Sequence, residues 1–349
     1  MAPDQDRDGY QDPGDDHDRS PGGQSAVDRA TPPGPDAGPN GPIELSGRSW
    51  LRAIRGTLRE FRADHLGDVA AALTYYAILS IFPGLVVLVA TVGLLGDNTA
   101  SEIINNLTQL TPGAVRDILT AATEDLRAHR SSAGIIAVVG LLAAIWSASA
   151  YVSAFMRAAN TIFDVPEGRP IWKTLPLRIG VTLLAGFLLI ASLLIVVLTG
   201  QVAETAGAAL GIESTAVNVW DIAKWPVLVL LVSLLFSLLY WASPNARLGG
   251  LRWISPGSIL AVLLWLAASG LFAVYAANFS SYSRTYGALA SVIAFLVWLW
   301  LSNLALLLGA ELDAELERQR AVYAGHPENV EPYLQLRDSR NAPDQANSP

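Results

Sequence analysis

The chain has 349 residues, of which 52% are hydrophobic and 15% charged, with no cysteine and a formal net charge of −8. Soluble domains carry about 25% charged residues, so this composition argues against an ordinary soluble enzyme. The missing cysteines exclude disulfides, thiolate nucleophiles and Cys-ligated metals.

The acidity belongs to the N-terminal end. Residues 1–42 hold nine Asp, no Glu and three Arg, with eight Pro, seven Gly and almost no large apolar side chain. Such a segment cannot bury enough surface to offset its ordering entropy, so residues 1–45 are expected to be a disordered acidic tail. No cleavable signal segment is visible, and the first apolar helix is expected to act as an uncleaved anchor. Ser49–Arg62 follows, a basic stretch containing Trp50, with the pattern of a helix lying on the inner membrane surface.

Six segments then lack Asp, Glu, Lys and Arg: Val69–Gly96, Ser131–Met156, Ile179–Ala203, Trp225–Ala246, Trp253–Ser283 and Thr285–Ala310. About 20 helical residues span a ~30 Å hydrocarbon core, and each run exceeds that. Lipid cannot satisfy backbone groups, so the runs are expected to be helices. Residues 46–320 are therefore read as a six-helix membrane domain, and 321–349 as a disordered cytoplasmic tail. Between the first two runs, Thr111-Pro112 is a helix-start signal, and Val115, Ile118, Leu119, Ala122 and Leu126 follow at helical spacing. A short amphipathic helix is expected in this outer loop.

Orientation follows from the cationic loops. Thirteen Arg and Lys flank one side of the six runs: Arg48, Arg52, Arg55, Arg59, Arg62, Arg157, Arg169, Lys173, Arg178, Arg247, Arg252, Arg318 and Arg320. Five flank the other: Arg116, Arg127, Arg130, Lys224 and Arg284. The richer side is expected to be cytoplasmic, with both termini inside. Trp172, Trp241 and Trp253 fall at the inner interface so defined, and Trp220 and Trp225 at the outer one. The fold class expected is an all-α integral membrane protein with six N-in/C-in spans.

Polar side chains inside a bilayer are costly, so their helical phase is informative. On the first run Asp68, Ala72, Tyr76, Ser80 and Pro83 form one stripe expected to face the bundle interior. The second carries Trp146, Ser149, Ser153, Arg157 and Asn160 on one face. The fifth ends in Tyr275, Asn278 and Tyr282, and the sixth presents Gly287, Ser291, Trp298, Ser302 and Gly309. Each stripe reads either as glue between helices or as the wall of a substrate path. Asp68, Arg157 and Glu311 lie at similar depth at the inner rim, either as a charge network or as separate interfacial anchors. Glu311, Asp313, Glu315 and Glu317 read as a solvated helix end. The four His are scattered, and no nucleotide-binding, zinc-protease or serine-hydrolase motif is present, nor a basic aromatic stripe of the kind RNA binding requires. No cofactor, metal or nucleic-acid partner is expected.

The series Ala70-Ala71-Ala72-Leu73-Thr74-Tyr75-Tyr76 with Ser80 and Pro83, Trp146-Ser147-Ala148-Ser149 with Asn160, Pro244-Asn245, Pro256-Gly257, Asn278-Phe279, Tyr282, Tyr286-Gly287 and Gly309-Ala310-Glu311-Leu312 resembles the YihY/virulence factor BrkB family of bacterial inner-membrane proteins. The resemblance covers about Ser49 to Arg320. It implies a multi-pass inner-membrane protein and, as function, movement of a lipid or other amphipathic envelope molecule. An older family label, ribonuclease BN, finds no catalytic apparatus in these residues. The alternative to transport is a scaffold for envelope assembly acting through the outer loop and tails. Without a nucleotide motif, transport would be passive, ion-coupled or driven by a partner.

Overall fold

The structure is a computed structural model that describes residues 44–93, 133–197, 214–248, 255–278, 283–328 and 330–342, with 32, 33 and 39. Side chains at 82–93, 133–137, 197, 214–218, 221, 276–278 and 283–291 lie outside the description. The described residues hold seven helices: α1 Gly47–Ala63, α2 Leu66–Gly93, α3 Ala133–Ile162, α4 Ile171–Val197, α5 Ser214–Ala242, α6 Pro256–Asn278 and α7 Ser283–Tyr323. The expected outer-loop helix, from residue 111, lies outside the described residues.

Five helices, α3 to α7, are long and apolar enough to cross a membrane. The described side chains of α2, Leu66–Ile81, make a shorter apolar stretch within a helix whose backbone continues through Pro83 to Gly93. The helices outrun the uncharged segments at their cationic ends: α3 continues past Arg157 to Ile162, and α7 past Glu311 to Tyr323. Uncharged runs mark what lipid tolerates, whereas a helix with satisfied backbone bonds extends into water unhindered.

Each of α2 to α7 packs against the next in sequence, and α7 returns to α2, so the six helices close a ring; α7 also touches α3. At the crossing of α6 and α7, a Cβ on Gly257 would strike the Gly309 carbonyl, and one on Gly309 would strike the Gly257 carbonyl and the Tyr240 hydroxyl. Two missing side chains thus allow the backbones to touch, as small residues do between membrane helices. The buried face of α2 is Leu66, Ala70, Leu73 and Thr74. Asp68 and Ala72, expected inside, are exposed. The apolar residues meet α3 and α7 and leave the polar stripe turned away at this end.

Helix α1 is capped by Ser46, whose Oγ accepts from the Ser49 N–H at 3.2 Å. Ser49, Ala53, Gly56 and Thr57 are buried, spaced for one helical face, and the helix packs on α7. Leu51, Ile54 and Leu58 form a second, exposed apolar row beside Arg52, Arg55 and Arg59.

The chain from Ala321 does not conform to the expected disordered tail. Helix α7 ends with Gly325 at a φ of 95°, and the His326 N–H reaches back to the Ala321 carbonyl at 3.0 Å. Residues 330–342 then lie as a strap against the loops that follow α3 and α5: Arg247 N–H donates to Gln335 O at 2.7 Å, Arg337 N–H to Asn245 O at 2.9 Å, and Asn341 N–H to Gly168 O at 3.0 Å. Tyr333 and Leu334 of the strap are buried. Its partners lie roughly 90 to 170 residues away in sequence, so no local pattern announces it.

Candidate functional site

The strap, the α3–α4 loop and the α5–α6 loop meet at Asn245, which is fully buried. Its Nδ2 donates to Pro166 O at 3.1 Å and Asp338 O at 2.8 Å, its Oδ1 accepts from Asp338 N–H at 3.2 Å, and its own N–H donates to Asn160 Oδ1 at 2.7 Å. Asn160 also donates to Glu167 Oε2 at 2.9 Å. Glu167 holds Arg169, which donates onward to Ser243 O at 2.8 Å. Burial pushes the Glu167 carboxyl up, but the hydrogen bonds from Arg169 and Asn160 outweigh it and hold the group below its ordinary range. Asn160, a candidate path residue by sequence, is here the clasp between α3 and two loops.

Helix α3 stops where Asp164 takes a φ of 49°, with Val165 N–H returning to Asn160 O and Asp164 N–H to Thr161 O, both at 3.0 Å. Asp tolerates the left-handed region better than most residues, which lets the carboxylate sit at this corner. An open pocket of about 450 Å³ lies beside it, lined by Arg157, Asn160, Thr161, Asp164, Glu167 and Glu331 among others. Burial first, then Glu331 and Asp64, push the Asp164 carboxyl up to about 7. Asp64, at the end of α1, is pushed up to about 6 by burial and then by Glu60 and Glu331.

The acidic run on α7 is packed rather than solvated. Glu311, Asp313 and Glu315 are all buried. Asp313 Oδ1 accepts from Gly257 N–H at 2.7 Å, supplying an acceptor to an orphan amide at the start of α6. Glu315 faces Gly56 of α1 and lies 3.6 Å from Arg318. Glu311 Oε2 is buried without a hydrogen-bond partner among the described residues. Asp68 is exposed, Arg157 donates to Ser153 Oγ at 3.1 Å, and none of the bonds of Asp68, Arg157 and Glu311 joins these three to one another.

Within the membrane part, Tyr151 of α3 donates to Asn303 Oδ1 at 2.9 Å, and Asn303 of α7 donates to Thr74 Oγ1 of α2 at 3.0 Å. Tyr240 donates to Leu306 O at 2.6 Å, Trp298 to Ser269 Oγ at 3.1 Å, and Trp300 to Gly67 O at 3.1 Å. Sequence reasoning missed the Thr74–Asn303–Tyr151 chain, although an Asn inside an uncharged run was a signal for it. Tyr76 and Ser80 are half-buried, with Ser80 bonded to the Tyr76 carbonyl at 2.8 Å. Tyr75 is exposed and meets Tyr76 edge to face at 5.6 Å. Ser149 is buried and bonded to Trp146 O at 2.8 Å. Trp146 itself is 73% exposed, and the guanidinium carbon of Arg178 on α4 lies 5.9 Å from its ring centre. The side chains of Pro83, Asn278, Tyr286 and Gly287, and the whole of Tyr282, lie outside the described residues.

A ring of apolar helices with a polar-clasped, charged end defines a multi-pass membrane protein. The family model described as Virulence factor BrkB matches residues 57–332, and the chain belongs to that family. YfkH of Bacillus subtilis, which carries a ribonuclease-like label, is 29% identical over 80% of this chain and 99% of its own length. A UPF0761 membrane protein of Alkalilimnicola ehrlichii is 33% identical over 78% of this chain, which spans 61% of that relative. A UPF0761 membrane protein of Chromohalobacter salexigens is 32% identical over 80% of this chain and 67% of the relative. No solved structure matches.

Proposed function

We propose that the protein crosses the bacterial cytoplasmic membrane six times, with both termini inside, and moves a lipid or other amphipathic envelope molecule across it. Charge asymmetry supports the orientation. So does the meeting of α1 with α7, and of the α3–α4 loop, the α5–α6 loop and the strap with one another, since all belong to the cation-rich side. The observation that carries the transport reading is the closed ring of helices. It leaves Tyr75, Trp146 and Tyr275 exposed on helices of otherwise apolar surface, with Tyr76 and Ser80 half-buried beside them. Large amphipathic side chains exposed there suit a path for a molecule with both apolar and polar parts.

The ribonuclease-like label of the Bacillus relative does not extend to this chain in our reading. Three of its inner-end carboxylates are committed to structure, with Asp313 bonded to Gly257, Glu167 to Arg169, and Asp338 to Lys173 and Arg340. The direct test is purified protein in liposomes carrying a fluorescent phospholipid, with access to each leaflet followed by a membrane-impermeant quencher. Faster exchange than in protein-free liposomes is expected, slowed by Tyr76→Phe and Trp146→Ala. Exchange no faster than in empty liposomes, for all envelope lipids tried, would favour the scaffold reading instead.

A further inference from the structure

We propose that Arg178 and Trp146 form a seat for a phosphate-bearing anion, the headgroup of an anionic membrane lipid. For its role in transport this rests on the function proposed above, but binding at the seat does not depend on it.

Arg178 is the eighth residue of α4, three and four residues before the buried Val181 and Thr182, so it lies on the packed side of the helix. Its Nε is buried with no hydrogen-bond partner among the described residues. Among the described residues no carboxylate lies within ion-pair distance of it, whereas Arg169, Arg318 and Arg340 each meet one. Its described neighbour is the Trp146 ring. Trp146 is the fourteenth residue of the thirty-residue α3 and lies inside the uncharged run Ser131–Met156. Arg157, which ends that run, is eleven residues further along, or about 16 Å. Arg178 itself bounds the uncharged run of α4, and its guanidinium reaches inward to a ring whose residue lies deeper along α3 than Arg157.

A cation held among membrane helices is costly, and those that persist are paired or mark a substrate path. Contact with an aromatic face offsets part of the cost but supplies no counter-charge. It leaves N–H groups of the guanidinium fork free, and that fork matches the paired oxygens of a phosphate. Trp146, exposed over most of its surface, offers apolar area on which the chains of the same ligand would lie. A lipid phosphate brings charge and chains together, whereas free phosphate brings the charge alone.

The test uses the full chain purified in mild detergent, with bound lipid counted by native mass spectrometry. Dioleoyl phosphatidylglycerol, dioleoyl phosphatidylcholine and inorganic phosphate serve as separate probes. Wild type is expected to retain phosphatidylglycerol in preference to phosphatidylcholine. Arg178→Gln should weaken that retention about tenfold or more, the size expected for loss of a charge-assisted hydrogen bond. Arg178→Lys, which keeps the charge and loses the fork, should fall between them and serves as the measure if Arg178→Gln fails to fold. Equal phosphatidylglycerol binding in wild type and the folded Arg178 variants overturns the seat. Binding of inorganic phosphate with no preference for the anionic lipid overturns the lipid assignment. Wild-type lipid exchange in liposomes alongside unchanged binding in Arg178→Gln sinks the seat and leaves transport standing; binding lost in Arg178→Gln with no wild-type exchange does the reverse.

Discussion

The membrane-crossing part and the charged end of this molecule are held together by different means. Along the spans, exposed Leu, Val and Ile are abundant, for example Leu142, Leu184 and Leu263, and inter-helix polar links are single bonds such as Tyr151 to Asn303. At the charged end, Asn160, Asn245, Arg169 and Asp338 each bridge segments distant in sequence, Glu167 ties Asn160 to Arg169, and Phe155, Phe163 and Tyr333 are fully or nearly buried beside them. Lipid is as apolar as leucine, so burying apolar surface between spans gives no hydrophobic gain, and close contact at small residues must serve instead. Where water is the solvent, apolar burial and satisfied polar networks both contribute. A substitution should therefore cost most where loops are clasped in water and less where helices touch in lipid.

Asn245→Ala tests the clasped end. It would leave the Pro166 and Asp338 carbonyls and the Asp338 N–H without their partner, at a cost of about 3 kcal/mol or more. The expected outcome is a lowered unfolding temperature in detergent and earlier proteolytic cutting between residues 330 and 342. An unchanged cutting pattern would show that the strap is held by other contacts.

Gly309→Ala tests the span contact. The added methyl meets the Gly257 carbonyl and the Tyr240 hydroxyl, and overpacking of this kind costs about 1–3 kcal/mol. Thermal unfolding should register that loss while the proteolytic pattern of the strap stays as in wild type. A loss larger than that of Asn245→Ala would reverse the ranking of the two regions.

The smallest effect expected is a pH dependence confined to the charged end. Asp164, pushed up to about 7, and Asp64, pushed up to about 6, favour the protonated form in the folded chain. Their contribution is fully present below the unfolded aspartate value of about 3.9 and is lost as pH rises through about 6 to 7. Wild type should therefore lose stability across that window, and Asp164→Asn, which keeps a residue suited to the positive φ, should flatten its upper part. An identical slope in the variant would place the titration elsewhere.

Several elements were legible from residues alone. The uncharged runs located the five long apolar helices and the beginning of α2, because the exclusion of charge from lipid is written locally. The basic stretch before them became α1, and the glycine at 309 marked a close crossing. The ordered series of motifs from Ala70 to Leu312 pointed to the family that the comparison confirms. Phase was harder to read. Asp68 and Ala72 share a stripe with Tyr76, yet the buried side is that of Ala70, Leu73 and Thr74, because periodicity gives spacing without saying which neighbour each face meets.

What the sequence by itself determined, then, is which segments suit lipid, since a run without charge over the length of a bilayer has few other places to fold. Tertiary structure alone decided the use of the polar groups: Glu311 to Glu315 buried among helices, Asn160 turned into a clasp, the strap from 330 to 342 folded back, and Arg178 set against Trp146. Each depends on partners many residues away, and a hydrogen bond or cation–π contact between distant residues leaves no trace in local composition.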